Sequence, residues 1–243
     1  MAAGAEVPRF HEPQADEATW RAWIDALPVA DLAHRPPAAV CVVAPHPDDE
    51  TLALGAALYR WAAAGVPIEV VAVTDGEGSH PGHPGLAAAR IAEQHVALGR
   101  LGVAGRPTRL GLPDGAVADH EDAAADALAS LLRPGTVLLA PWAHDGHPDH
   151  DVVGRAARRA AAARDVELRE FPVWAYHGVT PAALAGLGAA RLPAGPEAVR
   201  AKVEAVAAFR TQLEALDGAP PILGAAALAL VDRPAEVIFA RPR

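Results

Sequence analysis

Residues 38–50 read Ala38-Ala39-Val40-Cys41-Val42-Val43-Ala44-Pro45-His46-Pro47-Asp48-Asp49-Glu50. The first seven are small or β-branched and apolar, the pattern of a strand buried on both faces. The next six carry one histidine and three carboxylates where a helical run, residues 51–64, begins. Carboxylates that leave water need a cation or strong donors in its place. A second polar cluster, His144-Asp145-Gly146-His147-Pro148-Asp149-His150, follows another apolar run at 137–140. The two strand-to-helix junctions are expected to meet around one metal ion.

Outward from this stretch, apolar β-branched runs alternate with helical ones. Further strands are expected at 67–74, 108–112, 136–140, 166–175 and 236–241, with helices at 17–27, 86–101, 119–132, 147–164 and 197–216. Gly65 and Gly102 stand where helix C-caps belong. Pro172 inside a strand pattern suggests an edge position or a bulge. The alternation, with strands continuous in polarity, predicts an α/β fold in three layers, a mostly parallel sheet covered on both faces. Ligands in such folds bind beyond the carboxyl ends of the strands, where the polar clusters at 45–50, 75–83, 113–114 and 144–150 all fall. One domain over 1–243 is expected, with 1–13 a loose tail and room for an insertion at 177–196.

The composition narrows the function classes. The chain has 243 residues, a net charge of -9 and no block of Lys or Arg, which opposes nucleic-acid and anionic-membrane partners. Lys202 is the one lysine among many arginines. The single cysteine, Cys41, cannot form an internal disulfide and reads as a small buried thiol. No signal-peptide h-region precedes residue 17 and no apolar stretch is long enough to span a bilayer, so a cytoplasmic protein is expected.

A catalytic zinc takes three protein ligands and a water, and two histidines with a carboxylate form one such set. His46 and Asp49 are three apart across a turn, and His147 and His150 three apart on one helix face. A metal takes three of these four. The expected set is His46, Asp49 and His150, leaving Asp48 to accept a proton from the attacking water and His147 to stabilise an oxyanion or protonate the leaving group. Asp149 and Glu50 are placed as outer acceptors that fix a ring orientation or a helix start.

These residues also carry a resemblance. His46-Pro47-Asp48-Asp49-Glu50, Thr74-Asp75-Gly76-Glu77 with Arg90 and Glu93, and His147-Pro148-Asp149-His150 resemble the LmbE-like or PIG-L family of metal-dependent N-deacetylases. Lys202, Phe209 and Thr211-Gln212 resemble that family's C-terminal helix. The resemblance implies a Rossmann-like fold, Zn2+ or another divalent ion, and hydrolysis of an N-acetyl group on a small amino sugar or sugar conjugate. It implies metal ligation by His46, Asp49 and His150, a base at Asp48, assistance from His147, and sugar contacts from Arg90 and Asp114. Some members carry a tyrosine where Asp145 stands.

Rival readings are a metal-dependent amidase for a non-sugar amide, an iron oxygenase with the same donors, and a non-catalytic sugar- or nucleotide-binding module. The alternating pattern opposes the oxygenase scaffold, and no G-x-G-x-x-G follows the first strand. His80 and His83 are expected on a flexible surface loop, and Trp142, Trp174 and Tyr176 are left unassigned between sugar stacking and the core. Oligomeric state, homo-oligomer included, is open.

Overall fold

The computed structural model describes residues 13–240. In chain order its elements are α1 (Glu17–Ala26), β1 (Ala39–Ala44), α2 (Asp49–Ala63), β2 (Ile68–Ala72), α3 (Leu86–Arg100), β3 (Thr108–Arg109), α4 (Glu121–Leu131) and β4 (Thr136–Pro141). There follow α5 (Pro148–Arg164), β5 (Glu167–Phe171), α6 (Ala175–Gly178), β6 (Ala189–Pro193), α7 (Pro196–Val206), α8 (Arg210–Leu213), α9 (Ala225–Leu228) and β7 (Ala235–Ala240).

All seven strands share one sheet in the order β3-β2-β1-β4-β5-β7-β6. The first five run parallel, and β7 is antiparallel to both β5 and β6. The continuous apolar strands have the expected cause. Val40, Val42, Val137 and Leu139 face a core shared with Leu54, Leu58, Leu98 and Ala205 of the helices α2, α3 and α7. Their neighbours Cys41, Val43, Leu138 and Ala140 point the other way, onto Leu128 and Val153 of α4 and α5. Successive side chains alternate across a strand, so a strand covered on both sides must be apolar throughout. Each fully buried Val or Leu here contributes about 1.5–3 kcal/mol.

Local signals set the helix ends. Gly65 and Gly102 adopt φ of +75° and +74°, and each lets the next residue's N–H reach back to close the helix, Val66 to Trp61 and Val103 to Leu98, both at 3.0 Å. Helix α1 starts on Asp16, which accepts from the Thr19 N–H at 2.7 Å, and lays Trp20 and Ile24 against Tyr176 and the β7 residues Val237 and Phe239. Among the described residues no helix is long and apolar enough to cross a membrane.

Several expectations are corrected. The strand at 166–175 stops at Phe171 and lies inside the sheet between β4 and β7, with Pro172 just beyond its end. It stops because the next N–H groups, of Val173, Trp174 and Ala175, all go to the Asp145 carboxylate. The stretch 177–196 contains β6, an edge strand whose five residues, AARLP, include no β-branched or aromatic side chain by which to read it. The helix at 197–216 breaks after Val206, because Glu93 captures the Thr211 N–H and hydroxyl and starts the separate turn α8. The tail at 1–13 lies almost wholly outside the described residues.

Candidate metal centre and active site

The loops after β1, β2, β3, β4 and β5 converge at the carboxyl end of the sheet. Between β1 and α2 the chain passes through Asp48 with φ 142° and ψ −28°, a conformation that costs an L-residue roughly 1–3 kcal/mol and persists where surroundings enforce it. The Asp48 carbonyl accepts from Thr51 and Leu52, starting α2, while its carboxylate caps nothing and is left to face the site.

Three donor atoms lie at the corners of a near-equilateral triangle. Asp49 Oδ2 is 3.2 Å from His46 Nδ1 and 3.2 Å from His150 Nε2, and the two ring nitrogens are 3.3 Å apart. Tetrahedral ligands at ~2.0–2.1 Å from a zinc ion stand ~3.3 Å from one another, so the spacing fits such an ion. The chemistry fits as well, because each ring has its other nitrogen committed outward. His46 Nε2 faces Asp114 Oδ1 at 3.2 Å and Asp149 Oδ2 at 3.3 Å, and His150 Nδ1 donates to Asp145 Oδ2 at 2.8 Å. Both rings therefore direct their inward nitrogen toward one point, where a bound ion would displace its proton and take the lone pair. His46, His147 and Asp149 form a second close group, but Asp149 already spends its oxygens on the N–H groups of Gly115 and Val117.

The electrostatics follow from burial. Burial opposes charge on the His46 ring, yet Asp114, Asp149 and Asp49 outweigh it and raise that imidazole well above its usual value. Burial is likewise overcome at His150, raised to about 9 by Asp49 and Asp145, and at Asp49, lowered by the two histidines. Asp48 differs: burial pushes it up to about 7 against the pull of Arg90, with Asp49 adding to the rise. His147 is pushed down to about 3 by burial and by the neighbouring His46 and His150 rings. Its Nδ1 accepts from the Asp149 N–H at 3.2 Å, capping α5, so the proton of the neutral ring sits on Nε2.

Arg90 is 3% exposed and spans Gly76 O, Pro47 O and Asp48 Oδ2, at 2.9, 2.9 and 3.1 Å. Gly76 packs directly on the guanidinium, where no Cβ would fit. Asp114 divides its oxygens between His46 Nε2 and the Gly78 N–H, so both residues expected to meet sugar also brace the polar cluster. Asp149 touches the His46 ring, whereas Glu50 accepts from Thr51 Oγ1 and Gln94 Nε2 and ties α2 to α3 instead of orienting a histidine. Burial raises Glu50 to about 7.

His80 is buried rather than on an exposed loop, and His83 pairs with Asp217 at 2.6 Å. Tyr176 packs in the core on Trp20, but Trp174 is half-buried with its ring 4.9 Å from that of His147. Sequence reasoning gave Asp145 and Trp174 no role. Asp145 sits five residues before the histidine it holds, across a turn with no helical period, so no spacing rule exposes it.

Fold and site together define an α/β protein with a mostly parallel sheet whose buried histidine–carboxylate centre crowns the parallel strands. Residues 41–161 match the family described as PIG-L, GlcNAc-PI de-N-acetylase, and the chain belongs to that family of N-deacetylases. It is similar to 1D-myo-inositol 2-acetamido-2-deoxy-alpha-D-glucopyranoside deacetylase of Mycolicibacterium vanbaalenii, 29% identical over 206 residues, covering 72% of this chain and 71% of that one. The corresponding deacetylase 1 of Saccharopolyspora erythraea is 33% identical over 195 residues, covering 63% of each. Among solved structures, the A40926 pseudoaglycone deacetylase Dbv21 shares the fold with a TM-score of 0.66 at 24% identity, covering 84% of this chain and 97% of that one.

Proposed function

We propose that the chain is a zinc-dependent hydrolase that removes the acetyl group from an N-acetylglucosamine-type sugar conjugate. The observation that carries this is the triangle of His46, Asp49 and His150, with the Asp48 carboxylate held by Arg90 and the His147 ring 5.0 Å from that of His150 beside it. The names of the relatives, both deacetylases of an N-acetylated glucosamine conjugate, support the substrate class.

His46 Nδ1, Asp49 Oδ2 and His150 Nε2 would hold the ion. Bound there, zinc would polarise the amide carbonyl and acidify a water. Asp48, oriented by Arg90, takes the proton of the attacking water as the water oxygen bonds to the acetyl carbon. His147 turns its Nε2–H toward the developing oxyanion, since Nδ1 is tied to the Asp149 N–H. As the C–N bond breaks, the proton taken by Asp48 passes to the leaving nitrogen, giving acetate and a free amine.

The test is release of acetate and free amine over a panel of N-acetylated sugars, sugar conjugates and simple acetamides, with and without chelator. Chelator-sensitive turnover confined to the sugar conjugates is expected. Turnover of simple acetamides alone would point to a general amidase, and no turnover of any N-acyl compound by fully metal-loaded protein would overturn the proposal.

A further inference from the structure

Asp145 is the most heavily used buried carboxylate near the centre. Its side chain has no exposed surface, and four groups donate to its two oxygens. Oδ1 accepts from the N–H groups of Val173 at 2.9 Å and Ala175 at 3.0 Å. Oδ2 accepts from the Trp174 N–H at 2.9 Å and from His150 Nδ1 at 2.8 Å. One side chain thus joins the turn after β4 to the start of α5 and to the segment after β5. That last segment carries Trp174, whose ring lies 4.9 Å from the His147 ring.

We infer that Asp145 is a positioning residue that selects the tautomer of His150 and sets the segment 173–175 beside His147. This rests on the reading of His150 as a metal ligand. A carboxylate can only accept, so it holds the His150 proton on Nδ1 and leaves the lone pair on Nε2, the nitrogen facing Asp49 Oδ2 at 3.2 Å. The tyrosine that some family members carry at this position could not accept from four donors at once. In this chain the carboxylate supplies a brace instead, and it links the metal ligand on one side to the aromatic wall of the site on the other. A histidine ligand's outer partner fixes its ring and tautomer, and losing one typically costs 10–100-fold in metal affinity.

The test is Asp145→Asn, nearly the same in shape. With its oxygen on Val173 and Ala175, its amide N–H groups would face both the Trp174 N–H and the His150 Nδ1–H. The ring then relieves the donor–donor conflict by moving its proton to Nε2, the metal-facing nitrogen. Zinc affinity, measured by chelator competition on protein shown to be folded by circular dichroism, is expected to fall about 10–100-fold. Equal affinity in wild type and Asp145→Asn would overturn the inference while leaving the deacetylase reading intact. Wild-type protein that binds no zinc would overturn both. Wild type that binds zinc but deacetylates nothing would leave the inference standing, provided the variant still loses affinity. Should Asp145→Asn not fold, imidazole 15N resonances of zinc-loaded wild type decide the matter. A His150 ring with its proton on Nδ1 supports the inference, and one coordinated through Nδ1 overturns it.

Discussion

Gly154, in the first half of α5, offers a test of how the centre is built, because helix propensity and packing predict opposite signs for one methyl group. A Cβ added there would stand 2.6 Å from Ala143 Cα, 2.7 Å from Ala143 N and 2.7 Å from Pro141 O. These are backbone atoms, so no rotamer change relieves the contact, and α5 must retreat from the end of β4 by most of an ångström. Overpacking of this kind costs about 1–3 kcal/mol, whereas Gly to Ala in a helix recovers up to about 1 kcal/mol. Gly154→Ala should therefore destabilise the protein by about 1–2 kcal/mol, at roughly 2–4 °C of Tm per kcal/mol for a chain of this size. The retreat also moves the α5 N-terminus that carries Asp149 and His150, with His147 as its cap, and a shift near ~1 Å can cost ~100-fold in rate. Gly99→Ala in α3 is the control, since a Cβ there meets nothing within 4 Å. Urea melts and turnover should show Gly99→Ala neutral or stabilised and fully active, and Gly154→Ala weakened in both. A Gly154→Ala protein as stable and as active as Gly99→Ala would refute the close approach of α5 to the β4 turn.

Three further outcomes are expected. Asp48→Ala should keep bound metal and lose ~100–10,000-fold in turnover, whereas Asp49→Ala should lose the metal, and full occupancy in Asp49→Ala by metal analysis would sink the ligand assignment. Lys202→Met removes the cation 2.8 Å from Glu236, leaving a buried carboxylate held only by the Ala56 and Ala57 N–H groups, and should cost roughly 3–5 kcal/mol in denaturant melts, partly restored by adding Glu236→Gln. Cys41, whose thiol burial and Glu69 push up to about 12, should react with a thiol reagent only as urea unfolds the chain; fast labelling of native protein would contradict its place in the core.

What the sequence by itself determined was the frame. Continuous apolar runs such as 38–44 and 137–140 can be stable only where both faces are covered, which dictates parallel strands between helix layers. The polar residues that end those runs must then gather at one edge, so His46, Asp48, Asp49, His147 and His150 were legible as one cluster. Tertiary structure alone decided how the cluster is divided. Which nitrogen of each histidine faces inward depends on the outward partners: Asp114 and Asp149, brought to His46 from distant parts of the chain, and Asp145, folded back onto His150 across the turn before α5. The limits of β5 and of the helix after residue 197 also escaped local reading, because Asp145 and Glu93 take backbone N–H groups that propensity would have given to a longer strand and a longer helix. Periodicity reports which face a residue is on. A carboxylate's choice among distant donors is settled only when the chain has brought them within 3 Å or so of each other.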